Sequence, residues 1–207
     1  MGLQGGIARH DGSLSVEPGL LSGNQLIDEK KIGGTVGGLL GYNWQQDSFV
    51  YGLEGDWNWI GGRTSRFASA IDHDNNSLST SYEVNWLSTF RGRAGLALDG
   101  TLLYVTGGLA FGHAKNDVAL IDRAADTQAS FTENRTKIGW TAGVGVEHMF
   151  SQHWTARAEF RYVDLGKTSI ACAVSGGPDF NGCIRNGYRG EFSNTLKLGL
   201  VGLAYKF

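Results

Sequence analysis

The fold is decided by the segment at residues 49–59, which reads FVYGLEGDWNW. Its odd-numbered positions carry aromatic side chains, leucine or glycine. Its even-numbered positions carry valine, glycine and the polar residues Glu54, Asp56 and Asn58. A period of two is typical of a β-strand whose two faces meet different surroundings. The segment therefore predicts a strand with one apolar face and one polar face.

The same period of two recurs along the rest of the chain. It is found in segments 32–44, 86–98, 103–111, 138–150, 154–162 and 196–207, and in a short candidate strand at 2–8. In the last long segment, the leucines between 196 and 200 have the opposite parity to the apolar residues from Leu203 onward. This change of parity predicts a β-bulge near Val201 and Gly202.

The connections between these segments alternate strictly between short and long. The short ones lie at 45–48, 99–101 and 151–153, and Asp99-Gly100 is a common hairpin turn. The long ones lie at about 9–31, 61–84, 114–136 and 166–191. Strict alternation puts all short turns at one end and all long loops at the other. Residues 1–207 are therefore predicted to form a single domain, an all-β, eight-stranded antiparallel up-and-down barrel with four long surface loops.

Composition excludes several other classes of protein. The chain has 207 residues with 18% charged and 11% aromatic side chains, which argues against disorder, and its net charge of −2 gives no electrostatic footprint for nucleic acid. The longest uncharged run, at 32–46, is shorter than the ~20 apolar residues of a spanning helix. The first residues lack the basic n-region and the apolar h-region of a signal peptide. Either the protein is not exported or a leader has been removed.

Three features predict that the apolar face points into lipid. The face is too bulky to fill an eight-stranded interior, and the opposite face is rich in glycine and threonine. The large aromatic residues also gather at both ends of the strands, as in the two interfacial girdles of a transmembrane barrel. Ordinary aromatic packing in a soluble sandwich is the alternative. The girdle residues are Tyr42, Trp44, Trp154 and Tyr205 near the short turns, and Trp57, Trp59, Trp86 and Trp140 near the long loops.

The polar face then brings four acids and four arginines into a narrow lumen. Charges that are buried must be paired, because an unpaired ion costs several kcal/mol. The balance predicts an ion-pair network that plugs the lumen, and the alternative is a narrow ion path lined by the same residues. Lys197 either snorkels to the outer interface or is turned inward by the suspected bulge. The network residues are Glu54, Asp56, Arg91, Arg93, Glu147, Arg157, Glu159 and Arg161.

Several segments resemble one family when they are taken in order. They read GYNW at 41–44, FVYGLEGD at 49–56, RGRAG at 91–95, LYVTGGLAFG at 103–112, GWTAGVGVE at 139–147, EFRYVDLG at 159–166 and YKF at 205–207. The chain thereby resembles the opacity-type, porin-like outer-membrane β-barrel family, which is related to the membrane domain of OmpA. The aromatic motif of the family's first strand is absent before Gly2, which implies that the chain starts inside strand one.

The resemblance implies a bacterial outer-membrane protein in contact with outer-membrane lipid and lipopolysaccharide. The C-terminal Phe207 resembles the signal read by the barrel-assembly machinery. Family members are usually surface antigens and envelope-stabilising proteins, and some are adhesive or bind hemin. Hemin capture by His73, His113 or Tyr82 follows only from this analogy. The alternative is that these are solvated loop residues.

An exported surface loop also lies in an oxidising compartment, which bears on the two cysteines. Cys172 and Cys183 both fall in the last long loop, with Gly176-Gly177-Pro178 between them. We expect a disulfide there, with free thiols as the alternative.

No cofactor, metal site or enzymatic activity is expected. The five histidines are scattered without a metal-binding spacing, and His148 near Ser151 lacks an orienting acid. We therefore expect a structural barrel with a plugged polar lumen, serving as a surface antigen or in envelope integrity. Its surface loops are expected to contact an envelope partner, a host surface or a second copy of the chain. The alternative is small-molecule uptake as a hemin-binding receptor or a narrow porin.

Overall fold

The computed structural model describes residues 1–16, 27–61, 67–70, 77–122, 127–171 and 189–207. No helix in these ranges is long and apolar enough to cross a membrane. The described strands are β1 (Gly2–Val16), β2 (Ile27–Gln46), β3 (Phe49–Gly61), β4 (Phe67–Ala70), β5 (Ser77–Leu98), β6 (Thr101–Asp122), β7 (Thr127–Met149), β8 (Trp154–Ala171) and β9 (Arg189–Tyr205).

Eight of these strands close into one antiparallel barrel. Sequence neighbours pair along the wall, β9 pairs with β1, and β3 pairs with β5, which completes the ring. The short strand β4 pairs only with the loop-side extension of β5 and does not enter the ring. The predicted eight-stranded up-and-down barrel is confirmed.

The stagger of the barrel follows from the strand pairing. Directly opposite neighbours, followed once around the ring from Tyr51, return to β3 at Gly61, a stagger of ten residues. With strand and residue spacings of about 4.8 and 3.4 Å, this stagger gives a strand tilt of about 40°. Such a barrel has an interior only wide enough for side chains.

The short turns lie where the sequence places them. Asp99 and Gly100 both have positive φ, as a two-residue hairpin turn with the twist of its strands requires. Asp47 adopts positive φ in the first turn. The backbone N–H of Met149 donates to the carbonyl of Gly100, so the second turn is tied to the neighbouring strand.

The long-loop ends differ from the sequence prediction. Strands extend well into the segments 9–31, 61–84, 114–136 and 166–191, so those loop boundaries were too wide. Ladder hydrogen bonds continue beyond the alternating segments because backbone pairing does not need an apolar face. Pairing between β7 and β8 ends at Trp140 and Asp164, whereas β6 and β7 stay paired as far as Asp122 and Thr127.

The prediction of a β-bulge near Val201 and Gly202 is wrong. β9 pairs in continuous register with both neighbours through these residues. The register shifts lie elsewhere, between Val84 and Trp86 on β5 and between Asp164 and Lys167 on β8. Parity in β9 is unbroken because the leucines between 196 and 200 face the barrel interior.

Candidate functional site

The inward positions of four strands form a charged layer in the lumen. Alternation puts two acids from β3, two arginines from β5, one acid from β7 and three charged residues from β8 on the inner face. The layer comprises Glu54, Asp56, Arg91, Arg93, Glu147, Arg157, Glu159 and Arg161. These are the residues that the sequence analysis selected, and all eight take part in ion pairs.

Arg91 occupies the centre of the charged layer and is fully buried. Its Nη1 lies 2.5 Å from Oε1 of Glu159, and its Nη2 lies 2.9 Å from Oδ2 of Asp56. Nη2 also pairs with Oε1 of Glu54, and Nη1 donates to the hydroxyl of Thr106 at 3.0 Å. One guanidinium thereby ties β5 to β3, β6 and β8.

Arginines of β8 repeat this bridging on both sides of Glu159. Nη1 of Arg157 donates to Oε2 of Glu54 at 2.6 Å, and its Nη2 pairs with Glu159. Nη1 of Arg161 lies 3.1 Å from Oδ1 of Asp56, and Nε donates to Glu159 at 2.9 Å. β3 and β8 are not neighbours in the wall, so these bonds cross the lumen.

Toward the short turns, Arg93 of the charged layer lies beside Tyr104. Arg93 pairs with Glu147, and its guanidinium carbon lies 3.8 Å from the centre of the Tyr104 ring. The hydroxyl of Tyr104 donates to Oε2 of Glu159 at 3.0 Å. The buried side chain of Tyr104 thus contacts a cation through its ring and a carboxylate through its hydroxyl.

Neutral side chains satisfy the remaining acceptors of Asp56. The hydroxyl of Thr89 donates to Oδ2 at 2.6 Å, and the amide of Asn58 donates to Oδ1 at 2.5 Å. The amide of Gln4 donates in turn to Oδ1 of Asn58 at 2.8 Å, which connects β1 to the network. Buried charges that are paired and hydrogen-bonded in this way escape the penalty of isolated ions.

The interior toward the long loops contains a buried apolar cluster, which the sequence analysis missed. On β8 the inward positions after Arg161 are Val163 and Leu165, and on β9 they are the leucines that had suggested a bulge. This apolar layer comprises Ala8, Leu87, Ala110, Val163, Leu165, Leu196, Leu198 and Leu200, with Ile60 packed against it. A parity count continued without a break along β9 from Phe207 would have placed these leucines on the inner face.

A smaller apolar cluster lies at the short-turn end of the interior. It consists of Val50, Leu102 and Tyr104, with Ala97 packed against it. The charged layer therefore lies between two apolar groups along the barrel axis. The lumen is not polar throughout, which corrects the expectation drawn from its glycines and threonines.

The large aromatic residues face outward at both ends of the barrel. Trp140 is 51% exposed and Phe90 is 55% exposed, whereas Arg91 and Arg161 are fully buried. Outward girdle residues near the short turns are Tyr42, Trp44, Trp154, Tyr205 and the terminal Phe207, and those toward the long loops are Trp57, Trp59, Trp86 and Trp140. Many form ring pairs, such as Trp44 with Tyr51 at 5.6 Å and Trp140 with Tyr162 at 5.4 Å.

Lys197 faces outward, which decides between the two placements left open by the sequence. It lies between the inward Leu196 and Leu198, and its Nζ is 2.7 Å from Oδ2 of Asp11. Asp11 also accepts a hydrogen bond from Nε of Arg9 at 2.9 Å.

The remaining candidate residues are only partly within the described ranges. Cys172, Cys183 and His73 fall outside the described residues, and nothing describes the side chain of Tyr82. His113 stacks on Trp86 at 6.1 Å, and Nδ1 of His148 lies 2.9 Å from the hydroxyl of Thr101. Within the described ranges, no group of three metal-ligating side chains comes together.

The sequence of the chain matches a known family. The profile of the family described as outer membrane protein beta-barrel domain matches residues 5–207. The chain belongs to this family. The 31 kDa outer-membrane immunogenic protein of Brucella melitensis is 38% identical over 144 residues, covering 67% of this chain and 57% of that protein. The 22 kDa outer membrane protein of Rhizobium leguminosarum bv. viciae is 33% identical over 169 residues, covering 82% of this chain and 64% of that protein.

The chain thus spans less than two thirds of the length of these curated relatives. Among solved structures, Neisserial surface protein A is 11% identical with a TM-score of 0.44, covering 99% of this chain and 97% of that one. The attachment invasion locus protein of Yersinia pestis is 13% identical with a TM-score of 0.35, covering 98% and 99%. The matches to the family profile and to these relatives confirm the predicted family, and they place this barrel protein in the bacterial outer membrane.

Proposed function

We propose that this outer-membrane protein is a non-enzymatic structural barrel with a closed lumen, and that its surface segments carry its interactions. The proposal rests on the side chains that occupy the barrel interior. The charged layer spans the lumen through Arg91, Arg157 and Arg161, and the apolar layer lies above it with Leu198 fully buried.

The two layers oppose ion flow for different reasons. Passage through the charged layer requires breaking several buried ion pairs at once, and removing one partner of such a pair costs about 3–5 kcal/mol. Passage through the apolar layer requires wetting a constriction lined by leucine and valine, which excludes water and ions. A structural role follows because a filled, cross-linked barrel is stiff and leaves the loop side for contact with partners.

Planar-bilayer recording of the refolded full chain tests the closed lumen. We expect a flat baseline, and we expect brief openings only after Arg91→Ala and Arg161→Ala are combined. Heat-modifiable migration on a detergent gel checks that each protein is folded before recording. Steady ohmic steps from the unchanged chain would contradict the closed lumen and favour the narrow porin.

Complementation of a deletion strain tests the structural role. The full chain should restore resistance of the envelope to detergent, and a chain with Arg91→Met, whose barrel is weakened, should restore it less. Full resistance in the deletion strain itself would remove the structural role. Hemin titration belongs in the same series, since a Soret shift with the refolded chain would instead support hemin uptake.

A further inference from the structure

We propose that Arg9 and Lys197 form a site on the outer wall of the barrel for the phosphate groups of an outer-leaflet glycolipid. This inference goes beyond the closed lumen and does not depend on it. The two residues, called here the basic pair, lie directly opposite each other on β1 and β9. Both side chains face outward and are about two fifths exposed, at 41% and 43%.

The basic pair lies at the level of the aromatic girdle toward the long loops. Lys197 is the direct neighbour of Tyr162 on β8, and the ring of Tyr162 lies 5.4 Å from that of Trp140. Girdle aromatics mark the boundary between acyl chains and headgroups, and long loops lie on the outer side. A lipid-facing cation is costly at the bilayer midplane but is tolerated near an interface. This level therefore suits both cations.

Two cations share one carboxylate in this part of the wall. Asp11 accepts from Nε of Arg9 at 2.9 Å and lies 2.7 Å from Nζ of Lys197. Like charges directly opposite each other on a sheet repel, so Asp11 holds both side chains on the wall. The bond of Arg9 uses Nε, which leaves the two terminal nitrogens of its guanidinium outside that contact. Phosphate oxygens match this planar donor group well.

Among the side chains that the structure describes on this part of the wall, Asp164 is the other acid. It lies in the row above the basic pair, across Thr195 from Asp11. Its Oδ1 accepts a hydrogen bond from the backbone N–H of Gly166 at 2.8 Å. The carboxylate is thereby directed toward its own strand, whereas the basic pair lies one row closer to the acyl chains.

A recess lies directly below the basic pair, where acyl chains would run. Gly34 and Gly199 are the direct neighbours of Ile7, which precedes Arg9 by two residues on the same outward face. A Cβ added at Gly34 would meet nothing within 4 Å, and one at Gly199 would meet only Ile7 at 3.6 Å. This glycine recess, formed by Gly34 and Gly199 on either side of Ile7, gives room for a chain beneath a headgroup bound at the basic pair.

The opposite wall offers a natural control. Gly107 on β6 is also outward and open, with 3.8 Å from an added Cβ to the carbonyl oxygen of Thr141. Its direct neighbours Gly92 and Ala142 are small, and no cation is paired with them in the ladder. Open glycine alone is therefore common on this barrel, and the coincidence with two cations is what distinguishes the proposed site.

Native mass spectrometry of the refolded full chain in mixed micelles tests the proposal, with diphosphorylated lipid A as the probe. Each cation near a charged membrane surface contributes about a fivefold change in affinity. Arg9→Gln or Lys197→Gln should therefore weaken binding about fivefold, and the double variant about 25-fold. The charge-preserving swap Arg9→Lys with Lys197→Arg should bind within about twofold of the unchanged chain, as should the control Lys206→Gln at the other end of the barrel.

Two further arms separate the sources of the phosphate. Fully dephosphorylated lipid A should bind the unchanged chain and the double variant alike, and inorganic phosphate should not displace the phosphorylated lipid. Gly34→Leu should weaken lipid binding by filling the glycine recess, whereas Gly107→Leu should not. Equal binding by the double variant that migrates as a folded barrel would overturn the proposal. Displacement by millimolar inorganic phosphate would overturn the assignment to a lipid.

Discussion

The charged layer and the apolar layer fill the same lumen by opposite means. The charged layer holds strands together through directional bonds, such as those of Arg91 to Glu159 and Asp56. The apolar layer packs leucine, valine and alanine side chains against one another, among them Leu87, Val163 and Leu198. Loss of one ion-pair partner leaves several charged groups without that partner, whereas loss of one leucine leaves a cavity. The two layers should therefore respond differently to a single substitution.

The largest effect is expected from Arg91→Met. The change keeps the length of the side chain but leaves Glu54, Asp56 and Glu159 without their shared cation. The free energy of unfolding should fall by about 3–5 kcal/mol, as for other broken buried pairs. Urea unfolding in lipid vesicles, followed by heat-modifiable migration, measures it. A loss below about 1 kcal/mol would show that the charged layer is not a cooperative network.

A smaller loss is expected from Leu198→Ala in the apolar layer. Leu198 is fully buried, and truncation of a buried leucine costs about 2–5 kcal/mol through lost contacts and a cavity. We expect about 3 kcal/mol in the same unfolding assay. The matched control is Leu203→Ala on the same strand, whose side chain is exposed outward and should cost about 1 kcal/mol or less. Equal losses at both positions would place Leu198 in lipid.

Tyr104→Phe tests the contact between the charged layer and the smaller apolar cluster near the short turns. Tyr104 belongs to the apolar cluster near the short turns, yet its hydroxyl donates to Glu159 at 3.0 Å. Loss of a hydrogen bond to a charged group should cost about 1.5–3 kcal/mol. Since the ring stays in place beside Arg93, the lost hydrogen bond should account for the whole effect. An unchanged unfolding midpoint would mean that the hydroxyl does not help to orient Glu159.

The smallest effect is expected from Thr106→Val. The hydroxyl of Thr106 accepts from Nη1 of Arg91 at 3.0 Å, and valine keeps its shape. Arg91 retains its carboxylate partners, so the cost should be about 1 kcal/mol. Thr101→Val, at the exposed bond to His148, is the control and should leave the unfolding free energy unchanged within error. A loss as large as that of Arg91→Met would contradict the central role of the carboxylates.

The barrel and the charged layer could be predicted from the sequence, whereas the apolar layer was not. Alternation in segments such as 49–59 identifies strands, and the balance of four acids and four arginines identifies a shared interior. Hydropathy cannot tell a leucine in the lumen from one in lipid. The outward residues of upper β9 include Lys197 and Gly199, which are not bulky and apolar, so the inward leucines resembled the lipid-facing set.

Strand ends and register shifts escaped prediction for a different reason. They depend on which backbone groups find partners across the ladder, and side-chain alternation does not report this. The shift near Gly166 illustrates the point, since the pairing of β8 with β9 passes over this residue, which has a positive φ and donates its N–H to Asp164. The sequence there shows only a glycine after an aspartate and a leucine.

The central claim is that bulky apolar residues contact lipid while the charged residues meet inside. Tryptophan fluorescence of the refolded chain in vesicles of bromine-labelled phospholipid tests it most directly, because all six tryptophans occupy outward positions: Trp44, Trp57, Trp59, Trp86, Trp140 and Trp154. Compared with unlabelled vesicles, bromine near the upper acyl carbons should quench most of the emission. Emission unchanged by bromine would place the tryptophans inside the barrel and contradict the account.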